Sequence, residues 1–308
     1  MPAITSDLLE RARGCLLGAA VGDAFGMALE GTPPQPSRSL VREMRVGRLA
    51  SGHFTVETET ILALAEGLLN GRPAEPADLA ARLTMHSRGR QGGVRSLLGR
   101  LAGGEASTRV ATAAPEMAHV ADARVLVHTL PIVLANVGDR PPCLDQVRRL
   151  TSLTQPHPDC VSGAAFVGAT LWHLLHGRPL RESIQQSLRD CPDLPEAMVE
   201  AIGTAMGRLR GQLRSDGLVR STLDCVLWSL GTTISYAEAV TRAANLGGRA
   251  SLVATLVGGL AGIIYRRSGI PADWRMQVHG QWPARRGRLW GEWELAELAG
   301  RLVELAIR

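Results

Sequence analysis

The chain is 308 residues long and 45% hydrophobic, so it can bury a sizeable core as one large domain or two ordinary ones. Its formal net charge is +5, yet every basic residue is an arginine. These are scattered, with no long run and no interleaved stacking aromatics, which argues against nucleic-acid binding. Cys15, Cys143, Cys160, Cys191 and Cys225 form no CxxC pair. That speaks against a disulfide framework or zinc site and for a reducing compartment. The first residues lack the pattern of a signal peptide, and the longest apolar run, 252–264, is too short for a bilayer. The expectation is a soluble, cytoplasmic chain with no membrane partner.

In chain order, Leu8, Leu9, Ala12, Cys15, Leu16 and Ala19 recur at helical spacing behind Asp7, a candidate N-cap. Gly14, Gly18, Ala19 and Ala20 leave this helix without bulk, so another helix or a ligand can approach its backbone. Gly22, Asp23 and Gly26 are expected to end it, with Glu30 in the following loop. Residues 32–55, rich in proline and glycine, form a loop long enough to act as a lid. Further helices are predicted over 56–70, 77–86, 92–102, 120–137 (kinked at Pro131), 144–153 and 160–176. The pattern continues over 180–190, 195–213, 221–230, 236–246, 251–266 and 293–307. There is no period-2 strand, hairpin signal, repeat or linker. The fold class is therefore all-α, one many-helix domain over 1–308.

Four stretches carry side chains able to do chemistry. The first is the tight helix end with Asp23 and Glu30, two carboxylates suited to a buried cleft, or simply loop acids beside a close-packed helix pair. The second is Glu57-Thr58-Glu59-Thr60 at a helix start, where carboxylates are favoured by the positive helix end and have capping as their other reading. The third is Thr154-Gln155-Pro156-His157-Pro158-Asp159, whose His157 is a ligand-binding or a structural histidine. The fourth is Asn245-Leu246-Gly247-Gly248-Arg249-Ala250-Ser251. His53, just before the acidic helix, is a further candidate acid or base.

Taken together with Arg11-x-x-Gly14-x-Leu16-Leu17-Gly18-x-Ala20-x-Gly22-Asp23-Ala24-x-Gly26, these stretches resemble the ADP-ribosylglycohydrolase family. The resemblance runs in order along nearly the whole chain, to a Gly269-Ile270-Pro271-Ala272-Asp273-Trp274 turn near the end. It implies an all-α fold with a cleft for ADP-ribose. In typical members it also implies two magnesium ions used to cleave a glycosidic bond to ADP-ribose.

The chain departs from the family where those ions bind. Thr-Asp-Asp-Thr of typical members is matched to Glu57-Thr58-Glu59-Thr60, and Gly-Gly-Asp-x-Asp-Thr to a segment carrying Arg249, Ser251 and Leu252. The Asn-Gly-x-x-Met-Arg substrate segment is nearest to Ala123-Arg124-Val125-Leu126-Val127-His128. Arg249 puts a fixed positive charge where a cation belongs, so no metal and no other cofactor is expected. The resulting expectation is an enzyme acting on a glycosidic or similar bond of a nucleotide- or sugar-like small molecule. Glu30, Glu59 and Asp23 are its catalytic candidates. Glu57, Thr58, Thr60, His53, His157, Asn245, Arg249 and Ser251 are the substrate-binding ones. The alternative is a catalytically inactive relative that binds a ligand or a protein.

Overall fold

Helix α1 (Ser6–Met27) runs straight through the glycines expected to end it. Its cap is Thr5, whose hydroxyl accepts the Leu8 N–H, rather than Asp7. Asp7 lies in the first turn and pairs with Arg11 and Arg266. The glycines persist inside the helix because of what faces them, helix α10 (Ala250–Tyr265). A Cβ on Gly14 would lie 2.1 Å from the Gly262 carbonyl oxygen, and one on Gly22 would lie 2.0 Å from that of Ala254. Gly18 and Gly26 meet Gly258 and Ala250 in the same way. Glycine every fourth residue therefore makes a bare stripe along which two backbones touch. The Tyr236 hydroxyl, fully buried, closes the seam with a 2.7 Å hydrogen bond to the Gly18 carbonyl.

The computed structural model describes residues 4–70, 121–282 and 287–306. The helices predicted over 77–86 and 92–102 lie outside the described residues. Around the central pair stand α2 (Val56–Leu69), α3 (Val125–Ala135), α4 (Arg140–Thr154), α5 (Pro158–Leu175) and α6 (Leu180–Asp190). They are followed by α7 (Glu196–Thr204), α8 (Val219–Gly231), α9 (Tyr236–Ala244), α11 (Ala272–Gln277) and α12 (Glu292–Leu305). Pro131 sits inside α3, as expected from the sequence. The segment expected as one helix over 195–213 is α7 followed by two short 3-10 turns, Ala205–Gly207 and Arg210–Gln212.

The all-α expectation holds, with one small correction. Gly280–Trp282 (β1) pairs antiparallel with Arg288–Trp290 (β2), three residues each, too short for alternation to stand out in the sequence. No helix among the described residues is long and apolar enough to cross a membrane. The loop of residues 32–55 is stitched down instead of lying free as a lid. The fully buried Asn245 accepts the Val41 N–H at 2.8 Å and donates to the Val41 carbonyl at 2.8 Å. Val41 and Met44 are buried with it.

Candidate active site

The antiparallel α1–α10 seam brings the end of α1 to the start of α10. Asp23, on the last turns of α1, faces the start of α2. Thr55 caps that helix, its hydroxyl accepting the Glu57 N–H. The Asp23 carboxylate is fully buried and accepts four hydrogen bonds. Two come from the backbone N–H groups of Thr55 and Thr58, at 2.7 and 3.1 Å. Two come from their hydroxyls, both at 2.7 Å. Burial pushes its carboxyl above the ordinary value, and these four bonds pull the other way. These four bonds tie the Asp23 carboxylate to the start of α2.

Two further carboxylates flank one guanidinium. Gly247 and Gly248 take φ of 67° and 55°, a left-handed turn that suits glycine, and deliver Arg249 to the start of α10. One guanidinium nitrogen lies 3.3 Å from Glu30 Oε1 and the other 3.8 Å from Glu57 Oε1. Glu30 in turn accepts the Ser251 N–H at 2.8 Å, so the loop after α1 caps α10. Glu57 is buried, and burial together with the nearby Asp23 carboxylate pushes it up to about 7, against the pull of Arg124 and Arg249. A carboxyl so placed carries a proton near neutral pH. The Ser251 hydroxyl beside Glu30 is buried and has no hydrogen-bond partner among the described residues.

The segment leading into α3, matched above to the family's substrate segment, supplies charged residues that are not among the candidates named there. Arg124 grips Asp122 through Nε at 3.0 Å and through a guanidinium nitrogen. Burial pushes Asp122 up, but Arg124 outweighs it and leaves the carboxyl below its ordinary value. His128, one turn on, is pushed down to about 4 by burial and by the charge of Arg124. The signal was present in the sequence as an arginine and a histidine on either side of an apolar stretch, but nothing in it pointed toward Glu57.

Asp23, Glu30, Glu57, Thr58, Arg249 and Ser251 are thus brought together, and several other candidates are not. Asn245 is engaged by Val41 and by the Thr241 carbonyl, which fixes the 32–55 loop. The Thr60 hydroxyl donates to the Val56 carbonyl inside its own helix. His157 caps α5, its Nδ1 accepting the Asp159 N–H. Glu59 stands two residues after Glu57, a spacing that turns the two side chains away from each other on a helix. Arg249 accordingly pairs with Glu57 and Glu30, where Glu57 or Glu59 was expected. His53 donates from Nδ1 to the Phe54 carbonyl and lies beside His279.

A family model described as ADP-ribosylglycohydrolase matches residues 4–307. The chain belongs to the ADP-ribosylglycohydrolase family. It is 29% identical over 286 residues to ADP-ribosylarginine hydrolase Tri1 of Pseudomonas putida (strain GB-1), covering 88% of this chain and 74% of that protein. It is 26% identical over 280 residues to the ADP-ribosyl-dinitrogen-reductase glycohydrolase of Rhodospirillum rubrum, covering 86% and 89%. A solved ADP-ribosylglycohydrolase-related protein complex superposes with a TM-score of 0.80 at 28% identity, covering 98% of this chain and 100% of that one.

Within this ADP-ribosylglycohydrolase frame, one match shifts. The family's Thr-Asp-Asp-Thr has threonines three apart, and here Thr55 and Thr58 are the pair that straddles Asp23. The stretch that meets Asp23 is Thr55-Val56-Glu57-Thr58, two residues upstream of Glu57-Thr58-Glu59-Thr60.

Proposed function

We propose that this ADP-ribosylglycohydrolase relative is a hydrolase cleaving a glycosidic bond to ADP-ribose or a similar nucleotide sugar, with Arg249 standing in for the magnesium pair. The observation that supports it most is the guanidinium set between Glu30 and Glu57, at 3.3 and 3.8 Å. A magnesium ion takes near-octahedral oxygen ligands at about 2.0–2.1 Å. The donors here do not fit two of them. Asp23 already accepts four hydrogen bonds from Thr55 and Thr58, and Glu30 and Glu57 already face a fixed cation. Among the described residues, no group of three or more His, Cys, Asp or Glu side chains could hold a metal ion.

In this reading Glu57, with its carboxyl at about 7, is the general acid that passes its proton to the leaving atom. Glu30 takes a proton from the attacking water. Arg249 keeps the two carboxyl groups from repelling each other and holds Glu30 in place. Glu59, expected as a catalytic residue, gives way to Glu57, and Asp23 becomes a positioning residue.

The test is release of ADP-ribose from ADP-ribosylated arginine, the substrate class in the name of one relative, with and without a chelator. Release is expected to persist in chelator and to fall by about two to four powers of ten in Glu30→Gln. Activity abolished by chelator and restored by magnesium would overturn the metal-free reading. ADP-ribose that binds in calorimetry but is never released from substrate would point to the non-catalytic alternative.

A further inference from the structure

We propose that His53 and His279 form a two-histidine site for a transition ion of the zinc, nickel and copper class. The site lies between the 32–55 loop and the segment leading into β1. Its location and chemistry are independent of the hydrolase reading.

Four observations converge. The two residues are partners in a parallel bridge, so their side chains leave the backbone on the same face. Their backbones are tied on both sides, the His279 N–H donating to the Gly52 carbonyl at 2.8 Å and the Phe54 N–H to the His279 carbonyl at 2.9 Å. Each ring places Nδ1 against a carbonyl oxygen, His53 on Phe54 at 2.7 Å and His279 on Gln277 at 2.8 Å. A carbonyl only accepts, so both Nδ1 atoms carry the hydrogen and both neutral rings keep the Nε2 lone pair. Neither Nε2 has a hydrogen-bond partner among the described residues. An Nδ1–H donating to a backbone carbonyl is also the support that metal-ligating histidines use to fix ring orientation and tautomer.

The spacing fits a shared ion. The ring centroids are 5.3 Å apart, with the planes at 73°. With metal–nitrogen bonds of about 2.0–2.1 Å and tetrahedral angles, two imidazoles on one zinc have centroids about 5 Å apart. Two imidazoles select a borderline ion over magnesium, which takes oxygen ligands. Both histidines are partly exposed, so water can complete the coordination. An ion there would cross-link the chain just before Thr55, the residue that starts the Asp23 clamp.

The experiment titrates zinc chloride into the full chain and into His53→Asn, His279→Asn and the double variant. Asparagine retains a donor near the Nδ1 position and removes the Nε2 lone pair. Each single variant is expected to lose about tenfold or more in zinc affinity, and the double variant no more than the singles, because one ion needs both rings. A long-range imidazole nitrogen spectrum of the wild-type chain is expected to show both Nε2 resonances shifting with zinc. Undiminished affinity in the singles, additive losses in the double, or a response from only one ring would overturn the proposal. Melting curves of the zinc-free variants guard against misfolding as the cause. A variant that melts like wild type and still loses zinc supports the site.

Discussion

Asp23 and Glu57 are two buried carboxyls on adjoining helices of the same cleft, and the chain treats them in opposite ways. Asp23 sits at the end of α1 inside a cage of four donors from Thr55 and Thr58. Glu57, in the first turn of α2, faces the Asp23 charge on one side and guanidinium groups on the other. The first niche surrounds the carboxylate with four donors and ties α1 to α2. The second leaves a proton in play near neutral pH, which is what acid catalysis needs. Burial alone does not separate structure from chemistry; the number and kind of hydrogen-bond donors does.

The contrast breaks most visibly in turnover. Glu57→Gln is expected to lower kcat by about two to four powers of ten and to remove the rate decline above pH ~7, with the fold intact. A pH–rate profile of variant and wild type checks both. Asp23→Ala should act on stability instead. Leaving two buried N–H groups and two hydroxyls without their acceptor costs about 4 kcal/mol, measurable by denaturant unfolding.

The pH dependence of unfolding sharpens the comparison further. Glu57 rises from 4.5 to about 7 on folding. Below pH 4.5 both states carry its proton; between 4.5 and about 7 only the unfolded chain gives it up. Stability is therefore lost as pH rises across that window, by about 3 kcal/mol. His128 works in the other direction, since it drops from 6.5 to about 4 and so removes stability as pH falls through that range. The two slopes oppose each other between pH 4.5 and 6.5. Urea unfolding of Glu57→Gln at several pH values should expose the His128 slope, with the variant gaining on wild type as pH rises.

The smallest effect belongs to Arg249→Ala. Its side chain is 28% exposed and its contacts are loose, so solvent screening limits the loss to about 1–2 kcal/mol. The same change should move the alkaline limb of the rate profile to higher pH, because Glu57 loses a neighbouring positive charge.

Most helices were legible from period and punctuation, down to the 180–190 segment, which is α6 as expected. The failures have physical causes. Gly22 and Gly26 were read as helix breakers because glycine is a poor helix former, but contact with the α10 backbone requires a bare surface there. The Thr55–Thr58 register was missed because only the fold shows which threonines reach Asp23. The Glu30–Ser251 bond joins residues 221 apart, and no local pattern announces it. The segment holding Arg124 was matched to the family's substrate segment, but no local pattern placed its charge near Glu57. What the sequence did carry was an opening helix bare enough for another helix or a ligand to approach, and Arg249 at the start of a late helix.

That seam has a consequence for how the cleft can change. Because α1 and α10 meet backbone to backbone, the distance between their ends is set by atoms every residue shares. Side chains at Arg249, Ser251 and Glu30 hang from the end of this frame without forming its contact surface. They can be exchanged one at a time, charge for opposite charge, while the span of the cleft stays constant. The frame works as a socket of fixed gauge, whose end groups vary independently of its span.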